Sequence, residues 1–168
     1  LRELGVPFVA SVVDRAGGEL DSDAFRSLNP AGKIPVLVDE HGPICESGAI
    51  LLYLGDKHPG SGLLPAAGSY ARGVHDQWMF CVATELEQPL CRLLKHVNKG
   101  IGDLAVADTA RQEFCAVANS FERTLAHRDH LTGTAFTAVD IMLSHLLTWE
   151  VAQPLLAELP ALRDYRDR

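Results

Sequence analysis

The fold is decided by the stretch Asn29-Pro30-Ala31-Gly32-Lys33-Ile34-Pro35-Val36-Leu37, which continues after a turn as Ile44-Cys45-Glu46-Ser47-Gly48-Ala49-Ile50-Leu51-Leu52-Tyr53-Leu54. Its apolar run 34–38 predicts a short strand. Residues 41–45 predict another strand that pairs back through the turn at 39–42. Residues 47–58 carry apolar side chains on one face and predict a helix that begins at Ser47.

Upstream of this stretch, the pattern predicts further small elements of an α/β domain. Residues 8–13, Phe8-Val9-Ala10-Ser11-Val12-Val13, favour a strand, and residues 21–28 favour a short helix at most. Residues 1–5 are typical of the last turn of a helix, with Gly5 as its stop and Pro7 just beyond. We therefore expect further residues upstream of Leu1, and others beyond Arg168, because 163–168 carries no clear helix stop.

Downstream of this first part, the sequence is helical in character. Residues 59–68 are rich in Gly and Pro and predict a linker. A long amphipathic helix that Pro89 should kink follows, and its apolar positions are Val74, Trp78, Cys81, Val82, Leu86, Pro89, Leu90, Leu93, Leu94 and Val97. A second amphipathic helix spans 107–125, and the run from Thr137 is apolar nearly all round, which predicts a helix buried in a bundle.

Composition excludes several classes of function. The 168 residues are 47% hydrophobic and 22% charged, which is ordinary for a globular protein. A net charge of -7 argues against nucleic acid or an anionic membrane as a partner. No apolar stretch reaches the length of a membrane span, and no signal peptide is visible. The four cysteines form no C-x-x-C pair, so we expect reduced, buried thiols in a cytoplasmic protein.

The two quoted segments resemble the glutathione-binding half of cytosolic glutathione transferases, and the resemblance extends over almost the whole chain. It implies an α/β thioredoxin-like N-terminal domain followed by an all-α helical-bundle C-terminal domain. The boundaries that we expect are 1–58 for the first domain, which is incomplete at its N-terminus, 59–68 for the linker, and 69–168 for the helical domain.

The resemblance also implies which residues bind glutathione. Pro35 would follow a cis peptide bond, which an X-Pro bond tolerates at a cost of about 0.5 to 1 kcal/mol. The backbone of Ile34 would then pair with the cysteinyl backbone of glutathione, as an added strand does. The alternative is that Ile34 and Pro35 merely start an edge strand.

Glu46 and Ser47 are the pair of residues to which the resemblance assigns the most specific binding role. With Ser47 as the N-cap, the free N–H groups and the positive end of the helix dipole would attract the γ-glutamyl carboxylate, and Glu46 would take the γ-glutamyl ammonium. The alternative is simple helix capping, although Ile50 at the third helical position provides no capping box. Lys33 would face the glycine carboxylate, unless it is an ordinary solvated lysine.

The implied chemistry is activation of the glutathione thiol for attack on a small hydrophobic electrophile, with glutathione as co-substrate, no metal, and a homodimer as the working form. The catalytic residue of the family lies just after its first strand, so we expect it upstream of Leu1. A Cys there would favour thiol-disulfide chemistry, and a Ser or Tyr would favour conjugation. The alternatives are a non-catalytic scaffold of the same fold, or a glutathione-dependent isomerase or dehalogenase.

Three further groups of residues are candidates of lesser weight. His75, Trp78 and Met79 are weak candidates for the second-substrate pocket, because aromatic stripes at helical spacing are more often core. Thr137 and Asp140 resemble the capping motif of the family at its central helix, a structural element. His127 and His130 lie three apart, but no second pair completes a tetrahedral metal site.

Overall fold

The computed structural model describes residues 1–98 and 102–168. Contacts divide the chain into two compact units, Leu1–Ser61 and Gly62–Arg168. Among the helices of the two described ranges, none combines the length and the apolar character that crossing a bilayer requires.

The first unit is built on a β-hairpin followed directly by a helix. Helix α1 spans Asp23–Leu28, strands β1 and β2 span Val36–Asp39 and Gly42–Cys45, and helix α2 spans Ser47–Lys57. The strands pair antiparallel, with Val36 opposite Cys45 and Asp39 opposite Gly42. The predicted hairpin and the predicted start of α2 are confirmed.

The strand predicted over residues 8–13 is wrong. In the described part of the chain the sheet has two strands, β1 and β2, and Val9 and Val12 are each 94% exposed. An extended segment without a neighbouring strand has no ladder in which to pair its backbone groups. Residues 2–5 form a turn in which Val6 N donates to Leu1 O and Gly5, at φ +63°, donates to Arg2 O, the bonds that end a helix.

The far ends of the hairpin and α2 are joined by a polar cluster. Tyr53 Oη donates to Asp39 Oδ2, and Lys57 Nζ lies 3.0 Å from Asp39 Oδ2 and 2.9 Å from Glu40 Oε1. The Tyr53 hydrogen bond, with those from the His41 backbone and Lys57, holds the pKa of Asp39 well below its ordinary value. Lys57 likewise lowers the pKa of Glu40. The cluster therefore favours the ionised carboxylates.

The second unit is helical, as predicted. A continuous helical run comprises α3 (Tyr70–Phe80), a π-helical segment (Cys81–Leu86), α4 (Glu87–Leu93) and a second π-helical segment (Leu94–Asn98). Helices α5 (Leu104–Leu125), α6 (Ala138–Leu147) and α7 (Pro160–Arg166) follow. The departure from α geometry comes just before Pro89, where Glu87 N bonds Val82 O five residues back. Proline has no N–H for the i−4 carbonyl and clashes with it, which the wider turn accommodates.

The wide turns also change which side chains are buried. Val82, Leu86, Leu90 and Leu93 are at most 2% exposed, whereas Val97 at the end of the predicted stripe is 47% exposed. None of the four cysteines is buried, and Cys91 is exposed. The expectation of buried thiols is wrong, because apolar neighbours in the sequence do not place a side chain on the buried face of its helix or strand.

Asp140 joins three parts of the second unit. Its carboxylate accepts from Thr137 N and Thr137 Oγ1, both at 2.8 Å, which completes a capping box at the start of α6. It also accepts from Leu131 N at 3.0 Å and from Tyr165 Oη at 2.8 Å. Burial, and next the Asp140 charge, raise the pKa of Tyr165 above its ordinary range. A fully buried carboxylate is tolerated here because its lone pairs are satisfied.

The carboxylate of Glu122 caps the start of α7. Its two carboxylate oxygens accept from Ala161 N and Leu162 N, each at 2.9 Å. The residue that precedes α7, Leu159, provides no side-chain cap. Glu122 of α5 therefore caps a helix that begins almost forty residues later.

Replacing Asp140 with Ala should lower the free energy of unfolding by about 3 kcal/mol or more, because buried donors from Leu131, Thr137 and Tyr165 lose their acceptor. Tyr165→Phe removes the bonds of one hydroxyl only, chiefly the 2.8 Å bond to Asp140 Oδ1, and should cost about 1 kcal/mol. Urea denaturation measures both, with exposed Asp108→Ala as the control. Equal midpoints for Asp140→Ala and Asp108→Ala would contradict the role of Asp140.

The cluster at Asp39 should make stability depend on pH in the acidic range. Because the pKa of Asp39 and of Glu40 is lowered in the folded chain, their contribution is complete above the unfolded value of about 4 and is lost as pH falls toward the folded value. The stability difference between the wild type and Lys57→Met should be largest at pH 6 and shrink toward pH 2. Urea titrations across this range test it, with Lys95→Met as the matched control. A difference that does not change with pH would refute the coupling.

Candidate functional site

The β-hairpin brings together the two sequence segments that were predicted to bind a ligand. Pro35 precedes Val36 and Glu46 follows Cys45, and Val36 and Cys45 are partners across the hairpin. Paired residues in an antiparallel ladder lie about 4.5 to 5.5 Å apart. The cis Ile34–Pro35 bond, the exposed Ile34 and the start of α2 therefore lie at one end of the hairpin.

Ile34 presents an unpaired backbone N–H and C=O at this end. The expected cis bond to Pro35 is present, and the Ile34 side chain is 48% exposed. Within residues 1–98 and 102–168, neither the N–H nor the C=O of Ile34 takes part in a backbone hydrogen bond. Both groups are therefore free to pair with an extended ligand.

The start of α2 offers unpaired donors beside Ile34. The first helical bond runs from Ile50 N to Glu46 O, at 2.9 Å, so the N–H groups of residues 47–49 have no partner within the helix. No acidic residue occupies the first turn. A carboxylate placed there would receive several N–H bonds and the favourable end of the helix dipole.

The N-cap of α2 is Glu46, not Ser47 as expected. Glu46 has φ +71° and makes no side-chain capping bond, and Ser47 is the first helical residue. A positive φ is rare for a residue with a side chain. This backbone turns α2 directly out of β2, and it leaves the exposed Glu46 carboxylate available for a cationic group.

Lys33 is exposed, and the loop that carries it is held by hydrogen bonds to the buried side chain of Asn29. Asn29 is 5% exposed, and its amide bonds the backbone of Ala31 and of Lys33. The role of Asn29 was not predicted from the sequence, although the residue begins the loop segment that resembles the family. The Asn-Pro dipeptide, which favours turn initiation, was the available signal.

His75 and Met79 lie inside the helical unit rather than on a pocket surface. His75 is fully buried, and its Nε2 accepts from Val139 N at 3.3 Å. Its Nδ1 therefore carries the proton that it shares with Asp76 Oδ1 at 2.9 Å. Met79 is 2% exposed, so both residues are core and the pocket assignment for them is wrong.

Trp78 packs its ring against Phe121, with ring centroids 4.8 Å apart. Two open grooves of this unit, of about 450 and 330 Å³, are lined by other residues, among them Gln88 and Arg92 in the larger and His127 and Arg168 in the smaller. In the described part of the chain, no group of three or more His, Cys, Asp or Glu side chains is arranged to hold a metal ion.

Comparison with known proteins agrees with the geometry of the hairpin end. The family model described as "Glutathione S-transferase, N-terminal domain" matches residues 1–62. Glutathione S-transferase 3 of Zea mays is 32% identical over 147 residues, which are 83% of this chain and 65% of that protein. Glutathione S-transferase F10 of Arabidopsis thaliana is 32% identical over 152 residues, which are 87% of this chain and 70% of that protein.

Solved structures extend the likeness to both units. The sphingomonad glutathione S-transferase complexed with glutathione is 31% identical, with a TM-score of 0.84 over 99% of this chain and 82% of that one. The predicted fold class, a thioredoxin-like domain followed by an all-helical domain, is confirmed. The chain belongs to the glutathione S-transferase family.

Proposed function

We propose that this protein is a glutathione transferase that binds glutathione at the end of the hairpin and activates its thiol for attack on a hydrophobic electrophile. The observation that carries the proposal is the pairing of Val36 with Cys45, which sets the free Ile34 peptide beside the free N–H groups of α2. Glutathione is an extended tripeptide with charges at both ends, so it needs both kinds of partner. The structure of the sphingomonad relative is complexed with glutathione.

Each part of glutathione has a partner in this arrangement. The γ-glutamyl carboxylate docks at the N–H groups of residues 47–49 and the hydroxyl of Ser47, and the ammonium beside it pairs with Glu46. The cysteinyl backbone pairs with the N–H and C=O of Ile34. Lys33, which is exposed in the same loop, takes the glycine carboxylate. Pro35 holds the chain turned so that Ile34 faces the ligand.

The chemical task is to stabilise the thiolate. A free thiol has a pKa near 8.5, so only a few per cent is ionised at neutral pH. Each pKa unit of lowering requires about 1.4 kcal/mol of preferential stabilisation of the thiolate. The residues of the hairpin end contribute by fixing the tripeptide, which removes the entropic cost of bringing thiol and electrophile together.

The organisation of the protein is part of the proposal. Residues 1–58 form the glutathione-binding domain, residues 59–68 the linker, and residues 69–168 the helical domain against which the electrophile binds. The protein works as a homodimer, the commonest symmetric assembly, and acts in the cytoplasm.

Calorimetric titration of the protein with glutathione tests the site directly. Glu46→Ala and Ser47→Ala should each weaken binding about tenfold or more, roughly 1.4 kcal/mol, because each removes a partner of the γ-glutamyl head group. Glu46→Gln keeps the size of the side chain and removes its charge, so it should weaken binding nearly as much as Glu46→Ala.

Ser69→Ala is the matched control, because Ser69 also stands at a helix start and accepts from Arg72 N, but lies in the second unit. It should leave glutathione binding unchanged. Absence of binding at millimolar glutathione would contradict the transferase proposal and favour a scaffold protein of the same fold.

Product analysis separates conjugation from isomerisation and from a dehalogenation in which glutathione is a cofactor that is not consumed. A transferase product retains the glutathionyl group in a new carbon–sulfur bond, whereas an isomerase or a dehalogenase that uses glutathione as a cofactor returns it unchanged. Mass spectrometry after incubation with glutathione and a small aromatic electrophile should find the conjugate. Recovery of all glutathione beside a rearranged product would overturn the transfer step.

A further inference from the structure

Asn29 is the one polar side chain of the first described unit that is buried, and both ends of its amide are used. Its Nδ2 donates to Lys33 O at 2.6 Å, and its Oδ1 accepts from Ala31 N at 3.0 Å. The partners determine the orientation of the amide, since a carbonyl only accepts and an N–H only donates. Asn29 therefore closes a small ring around residues 29–33.

Two further hydrogen bonds, one from the backbone and one from a side chain, hold the same loop. Gly32 N donates to Asn29 O at 2.9 Å, and Arg26 Nη1 donates to Pro30 O at 3.0 Å. Gly32 has φ +63°, and a Cβ on it would lie 3.1 Å from Leu20 O. Both the positive φ and the close Leu20 carbonyl disfavour any side chain at position 32, so this conformation of the loop requires glycine there.

The consequence lies at the two residues that follow. Lys33 O and Ile34 N–H belong to one trans peptide unit and point to its opposite sides, so the bond from Asn29 to Lys33 O turns the Ile34 N–H away from the ring. In the described chain, neither the N–H nor the C=O of Ile34 makes a backbone hydrogen bond. The Lys33 side chain, on the residue whose carbonyl Asn29 binds, is exposed. One buried amide therefore sets the position of both groups that are proposed to meet the cysteinyl-glycine half of glutathione.

We propose that Asn29 is a positioning residue that makes the site selective for the glycine end of glutathione, acting through Lys33 and Ile34 without touching the ligand. This inference rests on the proposed function of the hairpin end. The γ-glutamyl end is recognised at Glu46 and Ser47, to which Asn29 makes no hydrogen bond in the described chain. Loss of Asn29 should therefore affect the two ends of the ligand unequally.

The variant Asn29→Asp isolates the donor. It keeps the acceptor for Ala31 N and the size of the side chain, but places an anionic oxygen where Nδ2 now donates to Lys33 O. Two acceptors facing each other repel, so the Lys33 peptide must turn away. Asn29→Ser is the second variant, because its hydroxyl is too short to reach Lys33 O and it carries no charge.

The experiment compares calorimetric affinities for glutathione and for γ-glutamylcysteine, which lacks the glycine. The wild type should prefer glutathione, and Asn29→Asp and Asn29→Ser should each reduce the ratio of the two affinities by about fivefold or more. Ser47→Ala should weaken both ligands by the same factor and leave the ratio unchanged. In a Lys33→Ala background, where the partner of the glycine carboxylate is absent, Asn29→Asp should not change the ratio further.

The outcomes are distinguishable. A ratio in both Asn29 variants equal to that of the wild type, or a wild type without preference for glutathione, would overturn the role of Asn29 while leaving the site intact. Equal losses for both ligands would show that Asn29 only stabilises the fold, and urea denaturation of the same variants would detect this. If the wild type binds neither ligand, the proposed function itself fails.

Discussion

The antiparallel pairing of Val36 with Cys45 is the contact on which the ligand-facing end of the first unit depends. Side chains alternate along a strand, so a slip by one residue would turn each of them to the opposite face. The same slip would separate the Ile34 peptide from the start of α2. The register is supported at the other end of the hairpin, where Tyr53 and Lys57 of α2 bind Asp39. The hairpin and helix are thus joined at both ends.

The second unit is organised around charge that is buried and fully bonded. Asp140 joins the start of α6 to residue 131 and to Tyr165 of α7, and its hydrogen bonds replace the water that it loses. His75 likewise joins α3 to the first turn of α6 through Val139 N. These polar contacts specify how the helices meet, whereas apolar side chains such as Phe114, Phe121 and Leu143 provide most of the buried surface.

Local patterns in the sequence were sufficient wherever a feature is made by neighbouring residues. The hairpin, the start of α2 and the helices of the second unit all belong to this kind. The Thr137–Asp140 cap and the cis bond before Pro35 came from the family resemblance. Residues 8–13 were misassigned because β-branched composition does not reveal whether a neighbouring strand exists. His75, Met79 and Cys91 were misassigned because the π-helical turns and contacts between distant helices decide which face is buried.

Glu122 gives the last helix an unusual status. Helix α7 has seven residues, too few to be stable alone, and its first N–H groups are satisfied by a carboxylate from α5. The helical state of α7 therefore depends on its contact with α5. The amide protons of Ala161 and Leu162 exchange with solvent only when that contact opens, so their exchange rates measure how often the helical unit opens between α5 and α7.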